Sequence, residues 1–371
     1  MSIFISDFLQ FFSNFRKIGA KFAQKWVDFC CEARKIRTFF LCFGPEIIQW
    51  TGMMRGILYC LSLFSVFSLM SCGMIECDTN PPIAVSAVEQ QPLQKHVEAL
   101  CEHPRYGSSI EKARVYIEKH FKEAGWQVER RPFTTEDGEL RYNICAVRPG
   151  KDDTRYIIGA HYDACDIGPD GINRGADDNA SAVAALLELA HRLPKSQPRH
   201  TVELVAWDCE EPPYFNTPDM GSAHHASSCD AEKVKGLICL EMLGYYSDEE
   251  GSQPSLFPGY GLLLPTVGNF VAVVGDTDSR ELSKQVYGPL SALMPAARLN
   301  VPFTHDTELY FSDHRNYWPL GIPSIMVTDT AMVRNANYHE TADTPDTLDY
   351  RRLTIVTRGL VQAVRRLAWG K

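Results

Sequence analysis

Two adjacent glutamates, Glu210 and Glu211, follow a run rich in β-formers, Thr201 to Trp207. Two carboxylates at a strand end can divide the work: one binds a metal ion, its neighbour stays free as a base. Other hard ligands recur at the ends of apolar runs. His161 follows residues 156–160, and Glu241 follows residues 237–240. Asp177 and Asp178 sit in a loop rich in Gly and Asp, and His339 lies in Asn337-Tyr338-His339-Glu340-Thr341. Imidazole and carboxylate suit zinc at about 2.0–2.2 Å. Two such ions roughly 3.5–4 Å apart clamp and activate one water. Holding them that close takes a shared carboxylate, and an Asp where a loop enters a helix can bridge. A lone strand-end His or Asp is more often structural. Five such positions, each tied to an apolar run, point to a metal-assisted hydrolytic site.

These positions are far apart in the chain, so the fold has to gather them. Short apolar runs at 156–160, 201–207, 237–240, 270–274 and 322–327 read as strands. Helical spacing covers 93–124, broken at His103-Pro104-Arg105-Tyr106-Gly107, then 179–193, 221–229, 279–293 and 353–367. Residues 126–133 and 142–147 flank the turn Glu136-Asp137-Gly138 and read as a hairpin. Strands alternating with helices predict an α/β fold. One domain, residues 91–371, is expected to hold a mixed, mainly parallel sheet flanked by helices on both faces. Chemistry in such a sheet sits just past the carboxyl ends of the strands.

The chain has 371 residues, 45% hydrophobic and 22% charged, with a formal charge of -9. The charge is uneven. The first 55 residues hold eight basic and four acidic residues, which leaves 29 basic against 42 acidic in the remainder. An acidic body excludes a nucleic-acid partner, which needs a basic face. After Arg55 comes an apolar run, residues 56–70, then Ser71-Cys72-Gly73. A positive flank, a short apolar region and small residues at its end make a secretory signal. Leu69-Met70-Ser71-Cys72 also resembles a bacterial lipobox, which would make Cys72 a lipidation site. The charge-free stretch 56–75 is also long enough for an uncleaved anchor helix. Either reading makes the membrane a partner and places the body outside the cytoplasm, as an anchored lipoprotein or a periplasmic or extracellular domain. Residues 53–72 are therefore the signal or anchor, and 73–90 are expected to be a linker. Residues 1–52 are Phe-rich with scattered Lys and Arg; either the natural start is Met53 or Met54, or they form an amphipathic membrane-surface segment. Twelve cysteines show no zinc-finger spacing. Cys165 and Cys209 flank the expected site and are the candidate disulfide pair.

Three stretches carry a specific resemblance: Gly159-Ala160-His161-Tyr162-Asp163, Gly175-Ala176-Asp177-Asp178-Asn179-Ala180-Ser181-Ala182, and Asp208-Cys209-Glu210-Glu211. With Ser312-Asp313-His314 and Tyr338-His339-Glu340-Thr341-Ala342-Asp343-Thr344-Pro345, they resemble the signature of the co-catalytic dizinc aminopeptidases. That family also contains glutamate carboxypeptidases, and its phosphorylase/hydrolase-like fold is shared by the glutaminyl cyclases. The resemblance spans about residues 90–370 and implies two zinc ions per chain and peptide substrates. By motif position, His161 and Glu241 would hold one ion, Glu211 and His339 the other, and Asp178 would bridge. Asp163 would orient His161. Glu210 would be the general base that takes a proton from water and returns it to the leaving amine. Tyr310, His314 and Tyr338 are the candidate oxyanion or substrate groups. Glu241 departs from the Asp common in the family.

Two alternatives stand beside the aminopeptidase: a glutaminyl-peptide cyclotransferase on the same fold with a single zinc, and a non-catalytic binding module. The filled ligand positions speak against the module. Residues 212–220 form an extra loop after Glu211, with two aromatics that either line a specificity pocket or face solvent. A second polar loop occupies residues 247–260. His224 and His225 read as surface helix rather than ligands.

Overall fold

The computed structural model describes residues 75–254, 265–301 and 310–370. The expected upstream segment 1–52, the signal or anchor 53–72 and the lipidation site Cys72 lie outside the described residues, as do residues 255–260 of the second loop. No helix among the described residues is long and apolar enough to cross a membrane.

Four apolar strands make the centre: β4 (Arg155–His161), β5 (Thr201–Trp207), β6 (Val234–Glu241) and β9 (Ser324–Thr328). Their side chains are buried on both faces, as fits near-continuous apolar runs. β4 pairs in parallel with β5 and β6, and β6 pairs in parallel with β9. Register places His161 opposite Trp207, and Glu241 opposite Thr328. The carboxyl ends of four strands therefore meet along one edge.

The flanks run differently. On one side β2 (Gln127–Thr134) and β3 (Leu140–Arg148) form the expected hairpin, with β3 antiparallel to β5. On the other, β7 (Val271–Asp276) is antiparallel to β9 and parallel to β8 (Ala296–Val301). β1 (Ile75–Asp78) closes that edge antiparallel to β8. The order is β1-β8-β7-β9-β6-β4-β5-β3-β2. The sheet is mixed, as expected, but not mainly parallel: among the described residues four pairings are parallel and four antiparallel, and three of the parallel ones lie at the centre.

β1 corrects one boundary. The stretch 73–90, expected as a linker, contains this edge strand and the start of helix α1 (Ala87–Cys101). Ion pairing explains the docking: Arg298, buried in β8, reaches Glu76 of β1 at 2.5 Å. The helix then starts with a capping box, in which the Glu89 side chain accepts the Ser86 N–H at 2.9 Å.

α1 is followed by α2 (Ile110–Glu123), α3 (Ala182–Arg192), α4 (Gly221–Ser227), α5 (Arg280–Ser291) and α6 (Tyr350–Trp369). α1, α2, α3, α5 and α6 cover one face, where Ile158, Leu204, Ile238 and Val327 join their apolar sides. α4 and short turns cover the middle of the other face around Trp207, Cys239 and Tyr317. Helices thus lie on both faces.

One close approach fixes the centre. A Cβ on Gly159 of β4 would stand 2.2 Å from the buried ring of Trp207. Gly159→Ala is expected to overpack this layer and lower stability by about 3 kcal/mol, read as a shift in the urea midpoint. An unchanged midpoint would show that Trp207 yields freely.

Candidate metal centre

His161 is the last residue of β4 and is fully buried. Its Nδ1 lies 3.4 Å from Asp163 Oδ1. The other oxygen, Asp163 Oδ2, accepts the Glu211 backbone N–H at 3.0 Å. One carboxylate thus sets the His161 ring and the chain entering the glutamate pair. Glu210 and Glu211 follow Cys209, whose φ of 59 is left-handed and turns the backbone sharply off β5. Asp208 anchors that turn. It takes bonds from Arg114 at 2.7 Å, Tyr162 at 2.9 Å and the Cys209 N–H at 2.9 Å.

Glu241 ends β6 and again precedes a left-handed residue, Met242 at φ 42. Ser312 Oγ donates to Glu241 Oε2 at 2.6 Å, and Asn179 Oδ1 accepts the Met242 N–H at 2.9 Å. The longer side chain, unusual by the motif, therefore still reaches the centre and is held there.

Asp178 comes from the irregular stretch Ala176–Ser181 ahead of α3. Asp343 accepts both the Asp177 and Asp178 N–H groups, at 2.9 and 3.1 Å. Asp177 turns inward and accepts from Gly244 N–H and Asn335 Nδ2, both at 2.8 Å. Arg105, buried beneath the loop, donates to the carbonyls of Tyr162, Arg174, Gly175 and Asp178 at 2.7 to 3.2 Å. It knots the exit of β4 to the Asp178 loop.

The gathered groups form two adjoining subsites. Asp178 Oδ1 is 3.3 Å from His161 Nε2, and Asp178 Oδ2 is 3.3 Å from His339 Nε2. Glu241 Oε2 stands 3.5 Å from His161 Nε2. Glu211 Oε2 stands 2.9 Å from His339 Nε2. Glu210 Oε2 stands farther off, 3.9 Å from His161 Nε2. The electrostatics are those of crowded anions. Burial raises Glu210 well above the usual carboxylate range; His161 opposes this and Glu241 and Glu211 reinforce it. Burial and Asp178 push Glu211 up to about 8 against the pull of His339. Asp178, despite its burial, is held low by His161 and His339.

Nε2 of both histidines and Oε1 of Glu211 are buried without hydrogen-bond partners. Orphaned donors and acceptors at this density are costly unless something binds them. His161, Asp178 and Glu241 each present a ligand atom, all within 4.8 Å of one another. Imidazole and carboxylate are the donor set of a divalent cation such as zinc. The residues fit that group.

The other candidates are placed as follows. Tyr338 stacks on His339 with centroids 3.8 Å apart and lines the cavity beside the ligands. Tyr310 and His314 instead pack on Trp318, at 5.6 and 4.6 Å. Cys165 and Cys209 are both free thiols, which corrects the disulfide expectation: Cys209 Sγ faces Asp208, whereas Cys165 stands by His339. His225 is buried rather than on the surface, because its ring bonds the Tyr317 hydroxyl at 2.7 Å. Arg105 was read only as part of a helix break, and Ser312 and Asp313 only as part of a motif, with no task at the site. Asp313 is buried beside the centre, and burial together with Glu241 and Asp163 pushes it up to about 7 against His161.

A cavity of about 310 Å³ opens from the ligands across the sheet face. Its polar end holds Glu210, Glu211 and His339; its far end is Phe270, Ala272 and Leu299. From the extra loop, Pro212 and Phe215 line it, with Phe215 edge-on to Phe311 at 5.5 Å. Tyr214 points elsewhere, bonding Arg141 at 2.9 Å.

Residues 143–364 match the model of Peptidase family M28. The uncharacterized protein YfbL of Escherichia coli strain K12 is 37% identical over 322 residues, covering 83% of this chain and 98% of that protein. A probable zinc metalloprotease of Pyrenophora teres f. teres is 26% identical over 235 residues. That match covers 55% of this chain, which spans about half the length of the fungal protein, 50%. Among solved structures, the LapA aminopeptidase of Legionella pneumophila matches with a TM-score of 0.58 at 17% identity, covering 75% of this chain and 72% of that one. The glutaminyl cyclase of Porphyromonas gingivalis matches with a TM-score of 0.58 at 18% identity, covering 75% and 98%. At these identities the likeness to the solved structures is one of fold.

Proposed function

This chain belongs to peptidase family M28, and we infer that it is a zinc-dependent aminopeptidase that uses two ions to release N-terminal residues from peptides. The observation that carries the reading is the position of Asp178, whose two oxygens each face a different imidazole at 3.3 Å. A carboxylate so shared suits a pair of ions better than one. His161, Glu241 and Asp178 would hold the first, and His339, Glu211 and Asp178 the second.

Zinc, when bound there, supplies Lewis acidity: it brings the pKa of a water towards neutrality and polarises a peptide carbonyl. Glu210 moves the proton, accepting it from the attacking water and returning it to the leaving amine. Asp163 keeps the His161 ring in place and fixes the backbone at Glu211. Tyr338, which lines the cavity beside His339, would donate to the developing oxyanion. The charge-free run 56–75, which contains Cys72, supports export of the domain, held at the membrane by a lipid on Cys72 or by an uncleaved helix. Cell fractionation checks this, and recovery in the cytosol would reject export.

Two cheap measurements separate the readings. The aminopeptidase should release the first residue of a free peptide and leave the N-acetylated peptide intact, with two zinc ions by metal analysis. Conversion of an N-terminal glutamine to pyroglutamate, with nothing released, would replace this reading with that of a cyclase.

The cavity supports a preference for bulky apolar first residues. Ala272 lies in its lining. Ala272→Phe is expected to cut kcat/KM for a phenylalanyl substrate by about 10-fold or more relative to an alanyl one. An unchanged ratio would place the substrate side chain elsewhere.

A further inference from the structure

Cys165 is buried four positions after His161, in the segment that leaves β4. The Ala164 N–H donates to the Arg105 carbonyl at 3.2 Å, so the segment is tied to the same arginine that holds the Asp178 loop. Cys165 Sγ, a Glu211 carboxylate oxygen and a His339 ring nitrogen lie within 4.8 Å of one another. Glu211 is itself buried and keeps one carboxylate oxygen, Oε1, without a hydrogen-bond partner.

A thiolate is among the best zinc donors, with a bond of about 2.3 Å. The His339 subsite otherwise offers one imidazole and two carboxylates. A fourth protein donor still leaves a position for water on a five-coordinate ion, and a soft one would set this subsite apart from the all-oxygen-and-nitrogen subsite at His161. A second cysteine cluster, Cys145 with Glu203 and His225, lacks this opening. Glu203 is already paired with Arg131 at 2.8 Å and Arg155 at 2.9 Å.

We propose that Cys165 is a ligand of the His339 subsite, binding the second ion through its sulfur. The inference rests on the two-ion reading above. Binding forms one metal–sulfur bond, breaks the S–H bond and releases its proton to solvent, with no change in oxidation state. The enzyme would then hold its second ion more tightly than its first. It would also be open to thiol reagents when metal-free and protected from them when loaded.

Cobalt tests this without relying on turnover. The metal-free full chain is titrated with Co2+, bound ions are counted by metal analysis, and the near-ultraviolet thiolate-to-cobalt charge-transfer band is recorded. Wild type should develop the band with the first equivalent of cobalt, as the more tightly held ion enters the His339 subsite. C165S and C165A should lack it and release that ion to a chelator about 10-fold or more readily, while C209S and C145S keep it. Two bound cobalt ions without the band in wild type, or an unchanged band in C165S, would overturn the assignment and leave the two-ion reading standing. A single bound cobalt in wild type would overturn the two-ion reading and this assignment with it. The wild-type spectrum carries the test even if a variant fails to fold.

Discussion

Glu210→Gln should keep its zinc and its fold and lose turnover by about 10²- to 10⁴-fold, the share usually carried by a general base. The substitution preserves shape and removes only the ability to take a proton. Glu210 is the right residue to single out because of where its neighbours sit. Glu211 faces His339 at 2.9 Å and Asp178 spans both imidazoles, whereas Glu210 approaches His161 no closer than 3.9 Å. It lines the cavity and is free to face a substrate. The comparison is Glu211→Gln, which should instead lower the metal content. Turnover, metal analysis and circular dichroism on both proteins decide the matter. Near-normal turnover in Glu210→Gln would remove it from the base role.

Removing the metal should abolish activity and also destabilise the fold. A ligand at a thousandfold excess over its Kd stabilises by about 4 kcal/mol, which for a domain of this size is on the order of 10 °C in Tm. The gap between loaded and metal-free protein should widen with pH. Burial and Asp178 push the Glu211 carboxyl up to about 8 from an ordinary 4.5. The metal-free fold therefore keeps a proton that the unfolded chain gives up, and loses that stability as pH rises through this window. His161 is raised as well, burial being outweighed by Glu241 and Glu210, so its contribution runs in the same direction. Asp178 is held low and contributes a constant amount above pH 5. Thermal melts from pH 5 to 8, with and without chelator, measure the gap. A gap that narrowed with pH would contradict the buried-anion picture.

Three of the candidate ligands were legible because His161, Glu211 and Glu241 stand at or just past the ends of apolar strands, whereas Asp178 and His339 sit on loops and were carried by the motif resemblance alone. The strand read at 201–207 is the strand observed, Thr201–Trp207, and the acidic pair follows it directly. β8 escaped because Arg298 and Asn300 interrupt its apolar pattern, and their partners lie far off in sequence: Ser283 bonds Asn300 at 2.7 Å and Glu76 pairs with Arg298. Arg105 escaped for the same reason. Nothing local marks an arginine that will be buried against four carbonyls contributed by residues 162 to 178. His225 read as surface because its partner, Tyr317, is 92 positions away. Apolar burial shows as a pattern along the chain. Polar burial depends on partners that only the finished fold brings together.

The edge where the parallel strands end has one more consequence. The candidate ligands His161 and Glu241 end strands and Asp178 sits on the loop held by Arg105, while Pro212 and Phe215 reach the cavity from a loop that begins after Glu211. The parts that would do the cutting and the parts that would choose what is cut are therefore separable in heredity. Changes at Pro212 and Phe215 would then shift what such an enzyme accepts without touching the residues proposed to hold its metal.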